Sequence, residues 1–274
     1  MITVEERWGV VRLKMTRRLF GRPIHSVSAY LLDRLLIDAG PPGCGAALVE
    51  WLRQDRRGRR VEAVLLTHHH EDHVGGAARL AAELRLPLFA PALAVERLAR
   101  RQPIPLYRRL VWGVPTPCVA QPLEDESRFA GRSLEVIATP GHAFDHVCLL
   151  DRESGLLFSG DLYVHERVRS LRRIENPWIH LDSLRRVLAR EPRNLACAHA
   201  GFVAAADPAL QRKIDFWETL AQSAAELAAA GWSRRRIRRR LLGRESWLTW
   251  LSLGDFSKAR LLRSLLRPPG SDSR

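Results

Sequence analysis

No stretch of this 274-residue chain approaches the roughly 20 consecutive apolar residues that a membrane span requires. Residues 1–20 scatter Glu5, Glu6, Arg7, Arg12, Lys14, Arg17 and Arg18 among apolar positions, which leaves no uninterrupted signal-peptide core there. The expectation is a cytoplasmic chain with no membrane partner. Cysteine is scarce as well: Cys44, Cys118, Cys148 and Cys197 form no close pair, which disfavours a disulfide framework and suits a reducing compartment. Lysine is almost missing, since Lys14, Lys213 and Lys258 stand against 41 arginines. That imbalance tempers the formal charge of +14, because arginine is used throughout a chain also rich in Ala and Leu. Nucleic acid is therefore an allowed but not a favoured partner. The excess is nonetheless uneven, with 14 basic and 6 acidic residues in 210–274.

The 46% of hydrophobic residues is ample for a sizeable core. The chain is organised around Thr67-His68-His69-His70-Glu71-Asp72-His73-Val74-Gly75-Gly76. Residues 61–66 before it form an apolar, β-branched run that reads as a buried strand, and residues 74–84 after it read as a helix. A strand-to-helix loop can turn several side chains toward one point, and imidazole nitrogens with carboxylate oxygens are donors that zinc and its neighbours accept. His68 and His70, two apart, can share one ion; Asp72 and His73 can face a second. His69 and Glu71 then point elsewhere. Gly75 and Gly76 allow close backbone approach. Three further ligand-type residues stand at the ends of predicted strands: His142 in Pro140-Gly141-His142, Asp161 in Ser159-Gly160-Asp161, and His199 in Cys197-Ala198-His199.

Taken together, these motifs resemble the metallo-β-lactamase-fold hydrolase superfamily, glyoxalase II-like members included. The His-x-His-x-Asp-His run, Pro-Gly-His, Ser-Gly-Asp and late His occur in that family's order, and Tyr30-Leu31-Leu32 with Leu36-Ile37-Asp38-Ala39-Gly40 match its second strand pair and aspartate turn. The resemblance implies an α/β, four-layer αββα sandwich over residues 1–205. It implies that His68, His70 and His142 hold one metal, that Asp72, His73 and His199 hold another, and that Asp161 bridges them. Asp38 would support a ligand rather than bind metal.

In order, residues 2–15 and 24–37 read as antiparallel strands with turns at Arg22-Pro23 and Asp33-Arg34. Pro41-Pro42-Gly43 precedes a helix over 46–57, and strands return at 133–138, 147–151 and 156–159. Residues 102–127, with five prolines, read as an irregular segment and a candidate lid. Residues 162–180 follow Asp161 and carry Tyr163, His165, Glu166, Arg167, Arg169, Arg172, Arg173 and His180, a basic loop placed to line a substrate pocket. His146 either supports His142 or simply starts a strand. From Asp207-Pro208 onward, residues 206–274 form a separate helical region. Its helices are capped by Ser233 and Ser257, and a strand or turn at 247–250 gives it a winged-helix-like look.

Two divalent ions, zinc foremost with iron or manganese as alternatives, can generate a hydroxide at neutral pH and polarise a carbonyl or phosphoryl oxygen. The leading expectation is a metal-dependent hydrolase whose metal-bound hydroxide attacks a thioester, ester or lactone. Asp72 would orient that hydroxide or relay its proton, and Tyr163 or His165 would stabilise the oxyanion. The expected substrate is a small molecule, an anionic one being allowed, and a homodimer is an open alternative. The rivals are an RNA phosphodiesterase of the same fold, an iron-dependent redox enzyme on the same ligands, and a nucleic-acid-binding module with a vestigial site.

Overall fold

Two sheets stack face to face in the computed structural model, which describes residues 2–19, 22–129 and 131–267. The first runs in chain order through β1 (Ile2–Arg7), β2 (Val10–Leu19), β3 (Arg22–Leu32), β4 (Leu35–Ile37), β5 (Ala63–Leu65), β6 (Leu88–Ala90) and β7 (Gln121–Pro122). The second runs from edge to edge through β8 (Glu126–Phe129), β9 (Arg132–Ala138), β10 (Val147–Asp151), β11 (Leu156–Gly160), β12 (Asn194–Cys197) and β13 (Gly201–Ala204). Helices α1 (Gly45–Gln54), α2 (Glu71–Val74), α3 (Ala77–Leu84), α4 (Ala92–Leu98) and α5 (Leu106–Val111) belong to the first half. Helices α6 (Pro177–Leu188), α7 (Ala206–Ala229), α8 (Arg234–Leu241), α9 (Trp247–Leu251) and α10 (Lys258–Leu265) belong to the second.

Three apolar layers hold this together. Tyr30, Leu35, Ile37 and Leu65 meet Leu149, Leu156 and Phe158 between the sheets. Leu13 and Met15 pack outward onto Leu48, Leu52 and Leu80 of the first helical layer. Leu157 and Leu195 pack outward onto Leu184, Ile214 and Trp217 of the second. The result is the expected αββα sandwich, each sheet burying one face on its helices and the other on its partner.

The central strands β4, β5, β10 and β11 are buried along their length, as strands covered on both faces must be. β4 pairs with β5, and β11 with β12, in parallel, so their carboxyl ends open at one edge of the sandwich. Asp38, the His-rich loop, Asp161 and His199 all follow those ends. This is where an open α/β sheet offers a crevice to ligands.

Several expected boundaries shift. Residues 2–15, expected as one strand, divide at Trp8 and Gly9, both at positive φ, which make the two-residue turn of a hairpin. The turn expected at Arg22-Pro23 gives way to the start of β3, and residues 20–21 lie outside the described residues. The proline-rich segment contains α5. The basic loop ends early because Asn176 Oδ1 accepts hydrogen bonds from Trp178 N and Ile179 N, with Pro177 as the first residue of α6. Residues 247–250 form the helix α9 rather than a strand or turn. Ser233 and Ser257 do cap α8 and α10.

The division expected near residue 205 does not separate two cores. Along α7, Ala206, Leu210, Lys213, Ile214, Trp217 and Ala221 form one buried stripe at helical spacing. Ile237 of α8 and Leu261, Leu262 and Leu265 of α10 join the same apolar cluster as β11 and β12. Among the described residues, no helix is long and apolar enough to cross a membrane.

Candidate metal centre

The loop after β5 begins with a buried anchor. Asp38, at φ 62°, turns its carboxylate under the loop, where Oδ1 accepts from Thr67 N at 2.8 Å and Oδ2 meets His73 Nδ1 at 2.7 Å. That contact orients His73 with its Nε2 facing inward, the support inferred for Asp38. Gly75 and Gly76 make the approach expected of them, since a Cβ on Gly75 would lie 2.1 Å from Pro42 N and one on Gly76 2.4 Å from the Ala39 carbonyl oxygen.

Seven side chains converge in two groups. His68, His70, His142 and Asp161 offer ligand atoms within 4.8 Å of one another, as do Asp72, His73, His199 and Asp161. In the first, His68 Nε2 lies 2.8 Å from His70 Nδ1, and His142 Nε2 lies 2.9 Å from His70 Nδ1 and 3.1 Å from Asp161 Oδ2. In the second, Asp161 Oδ1 lies 3.4 Å from His73 Nε2 and 3.3 Å from His199 Nε2. Asp161 thus turns one oxygen to each group.

The donor set fits metal. His73 Nε2 and Asp161 Oδ1 are buried without a hydrogen-bond partner, a costly arrangement that a shared cation would satisfy. The described residues therefore carry two His/Asp clusters consistent with a dinuclear metal site.

The electrostatics agree with that balance of charge. Burial pushes the imidazoles of His68 and His70 well below the usual range, leaving them neutral. Burial opposes charge on His73 and His199 too, but carboxylates override it and raise both: Asp38 and Asp161 for His73, Asp161 and Asp72 for His199. Burial would raise Asp72, yet His73 and His199 bring it down to about 2.

Supporting contacts lock the ligands. His146 Nε2 accepts from the backbone N–H of Asp161 at 3.0 Å and its Nδ1 lies 2.8 Å from Thr139 Oγ1, so His146 positions Asp161 rather than His142. His199 Nδ1 donates to the Ser26 carbonyl at 3.0 Å. His69 leaves the cluster, as its phase implies, because Asp145 accepts from its backbone N–H and lies 2.7 Å from its Nδ1. Gly141, at φ 127°, sits where a Cβ would collide with the backbone of His180, which places His142 hard against α6.

Two expected side chains lie elsewhere. Tyr163 does not line the cleft over the metal groups; its ring is buried near the Lys213 ammonium, and burial together with Glu166 pushes its phenol up to about 12. His165 is exposed, and its Nδ1 accepts from Arg167 N. Of the residues after Asp161, Val164 and Val168 turn to the cleft instead.

What the sequence reading overlooked is Glu175, and what it left undistinguished is Arg172. Arg172 Nη2 donates to Glu175 Oε1 at 2.9 Å and lies 2.9 Å from His142 Nε2, while Glu175 Oε1 is 2.9 Å from His142 Nδ1. The Asn176-Pro177 pair was the available signal. A helix starting there would have fixed 172–175 as the turn leading into it.

The cleft has a volume of about 830 Å³. Its roof is α5, tied at three points. Arg17 donates to the carbonyls of Leu110 and Trp112, Arg108 pairs with buried Glu71, and Tyr107 Oη donates to Asp255 Oδ2 at 2.6 Å.

The comparisons with known proteins bear on the same elements. The family model for the Metallo-beta-lactamase superfamily matches residues 22–202. The chain is 29% identical over 189 residues to Beta-lactamase-like protein 2 homolog of Drosophila melanogaster, covering 66% of this chain and 60% of that protein. It is 34% identical over 121 residues to a Hydroxyacylglutathione hydrolase of Chromohalobacter salexigens, covering 44% of this chain and 40% of that one. The chain thus spans less than two-thirds of the length of either relative. A solved Beta-lactamase domain protein from Burkholderia ambifaria superposes with a TM-score of 0.72 at 20% identity, over 96% of this chain and 87% of the other, a likeness of fold. With the family pattern running through most of its length, this chain belongs to the metallo-beta-lactamase superfamily.

Proposed function

We propose that the protein is a dinuclear metal-dependent hydrolase that cleaves a thioester, ester or lactone. The carrying observation is Asp161, shared by two His/Asp groups at the floor of a deep cleft. His68, His70 and His142 would hold one ion and Asp72, His73 and His199 the other, with Asp161 common to both. Such a pair, zinc foremost, supplies a water acidified toward neutrality and a polarised carbonyl.

The chain's own groups do the rest. Asp72, a carboxylate throughout the neutral range, lines the cleft beside His199 and is placed to accept a proton from the attacking water. Arg172 Nη2 reaches the substrate side of His142, where it can donate to the carbonyl oxygen as charge develops there, the part expected of Tyr163 or His165. Glu175 holds that guanidinium and the His142 ring in one unit. The name of the hydroxyacylglutathione hydrolase relative favours a thioester. None of the α8 arginines lines the cleft, which disfavours delivery of RNA by the tail.

Chelated protein reloaded with zinc, iron or manganese should be assayed on thioesters, lactones and phosphodiesters. Thioester or lactone hydrolysis that depends on added metal is expected. Activity on RNA alone, or oxygen uptake with iron, would replace this reading.

A further inference from the structure

The cleft is larger than a reacting carbonyl needs, and its two sides differ. One side is the β2–β3 hairpin, which carries Lys14, Thr16 and Ser26. The other is aliphatic and aromatic: Val164, Val168 and Leu171 from the loop after Asp161, with Leu248, Leu251 and Phe256 from the C-terminal region. The two parts of this wall are stitched together. Leu171 and Ser257 exchange backbone hydrogen bonds at 3.3 and 3.1 Å, and Arg173 N donates to Asp255 Oδ1 at 3.0 Å. The wall is therefore a fixed surface, continuous with the metal centre through Arg172.

An apolar wall left facing water gains free energy when an apolar group covers it. Ligand pockets of this size, roughly 300–1,000 Å³, bury most of a drug-sized molecule against such surfaces. A single-stranded nucleic acid would call for a cationic groove with aromatic platforms, whereas this wall is mainly branched aliphatic. We infer that the C-terminal region forms an acyl-binding wall, and that the substrate is a thioester whose acyl group is an extended apolar chain lying on Leu248, Leu251 and Phe256. The polar hairpin side, with Lys14, then faces the thiol-bearing half. This inference rests on the hydrolase reading of the metal centre.

The test is binding of uncleavable analogues to the zinc-loaded full chain: butyl, hexyl and octyl thioethers of N-acetylcysteamine, followed by calorimetry. Each methylene that reaches the wall should tighten binding by about three- to fourfold, so even with only about two of the extra methylenes on the wall the octyl compound should bind about tenfold more tightly than the butyl. Leu248→Ser with Leu251→Ser should flatten that dependence. Leu253→Ser, at a residue 94% exposed on the same segment, should leave it intact. Leu251 is itself 42% exposed and tolerates a larger side chain, so Leu251→Trp should weaken the octyl compound more than the butyl without emptying the core. Equal affinities across the series in the unmodified protein, or a dependence untouched by all the wall variants, would overturn the inference. Chain-length dependence without hydrolysis of any thioester, ester or lactone would retain the wall and remove the hydrolase reading. Hydrolysis of thioesters with no length dependence would do the reverse.

Discussion

Asp161 and His69 make opposite contributions to the metal centre although both are ligand-type residues near it. Asp161 is fixed by His146 and by the turn after β11, and its two oxygens are divided between the two groups. Removing it leaves two cations to repel each other at low effective dielectric. Asp161→Ala should therefore lower metal content to about one ion per chain or less and abolish most turnover. His69→Ala removes the ring's contacts with Asp145, His70 and Phe144, keeps the backbone hydrogen bond to Asp145, and should keep both metals. Elemental analysis of the two variants side by side decides this: equal metal loss would mean that the loop presents a different set of histidines.

Lys213 gives a second test at the residue scale. Its ammonium donates to the Leu162 carbonyl at 2.7 Å and to that of Tyr163, behind the turn that carries Asp161. Burial pushes it down to about 7 from an ordinary value of 10.5. A base depressed in the folded state is protonated more readily in the unfolded chain between those values, so the folded state gains stability as pH rises through that window. Metal-free protein compared with Lys213→Met in urea should show a larger rise in midpoint between pH 7.5 and 9.5 for the unmodified chain. Parallel curves would contradict the assignment.

At the scale of elements, the C-terminal helices separate charge from packing. α8 carries six arginines, yet Ile237 on the same helix is fully buried, Arg236 stacks on Trp232 and Arg238 Nη1 donates to the Gly243 carbonyl. The arginines line the outside of a helix held by its apolar face. Leu261→Ala, which opens a cavity in the core shared with β11 and β12, should destabilise the whole chain by about 2–5 kcal/mol in a single transition. Replacing Arg234, Arg235, Arg239 and Arg240 with Gln should leave that transition and small-ester turnover in place. A loss of salt-sensitive RNA binding in those variants would restore the nucleic-acid reading.

The same scale shows what the sequence made legible. The seven ligand-type residues were readable because metal chemistry restricts donors to a few residue types and the strands deliver them at fixed ends. The alternation from β4 through α1 and β5 to α3 was readable from its apolar runs and turn residues. Glu175, Arg172 and His146 resisted assignment because their roles depend on which direction a loop aims its side chains. Tyr163 failed for that reason, its ring turning inward toward Lys213. Residues 247–250 failed because a short aromatic and leucine run suits a strand as well as one helical turn, and the contacts that fix the turn after it, Asp255 with Tyr107 and Arg173 and Ser257 with Leu171, come from far away in sequence.

At the scale of the whole molecule, both sheets contribute to one centre. β4 and β5 supply Asp38 and the His-rich loop, while β10, β11 and β12 flank His142, Asp161 and His199. The C-terminal helices complete the same core and one wall of the cleft. The most direct test is a zinc titration of the chelated full chain, following thioester hydrolysis and bound metal together. Activity should rise from near zero and reach its plateau only as about two ions per chain are bound, as a two-ion site requires. Full activity in the chelated protein, or a plateau with no more than one ion bound, would contradict the account.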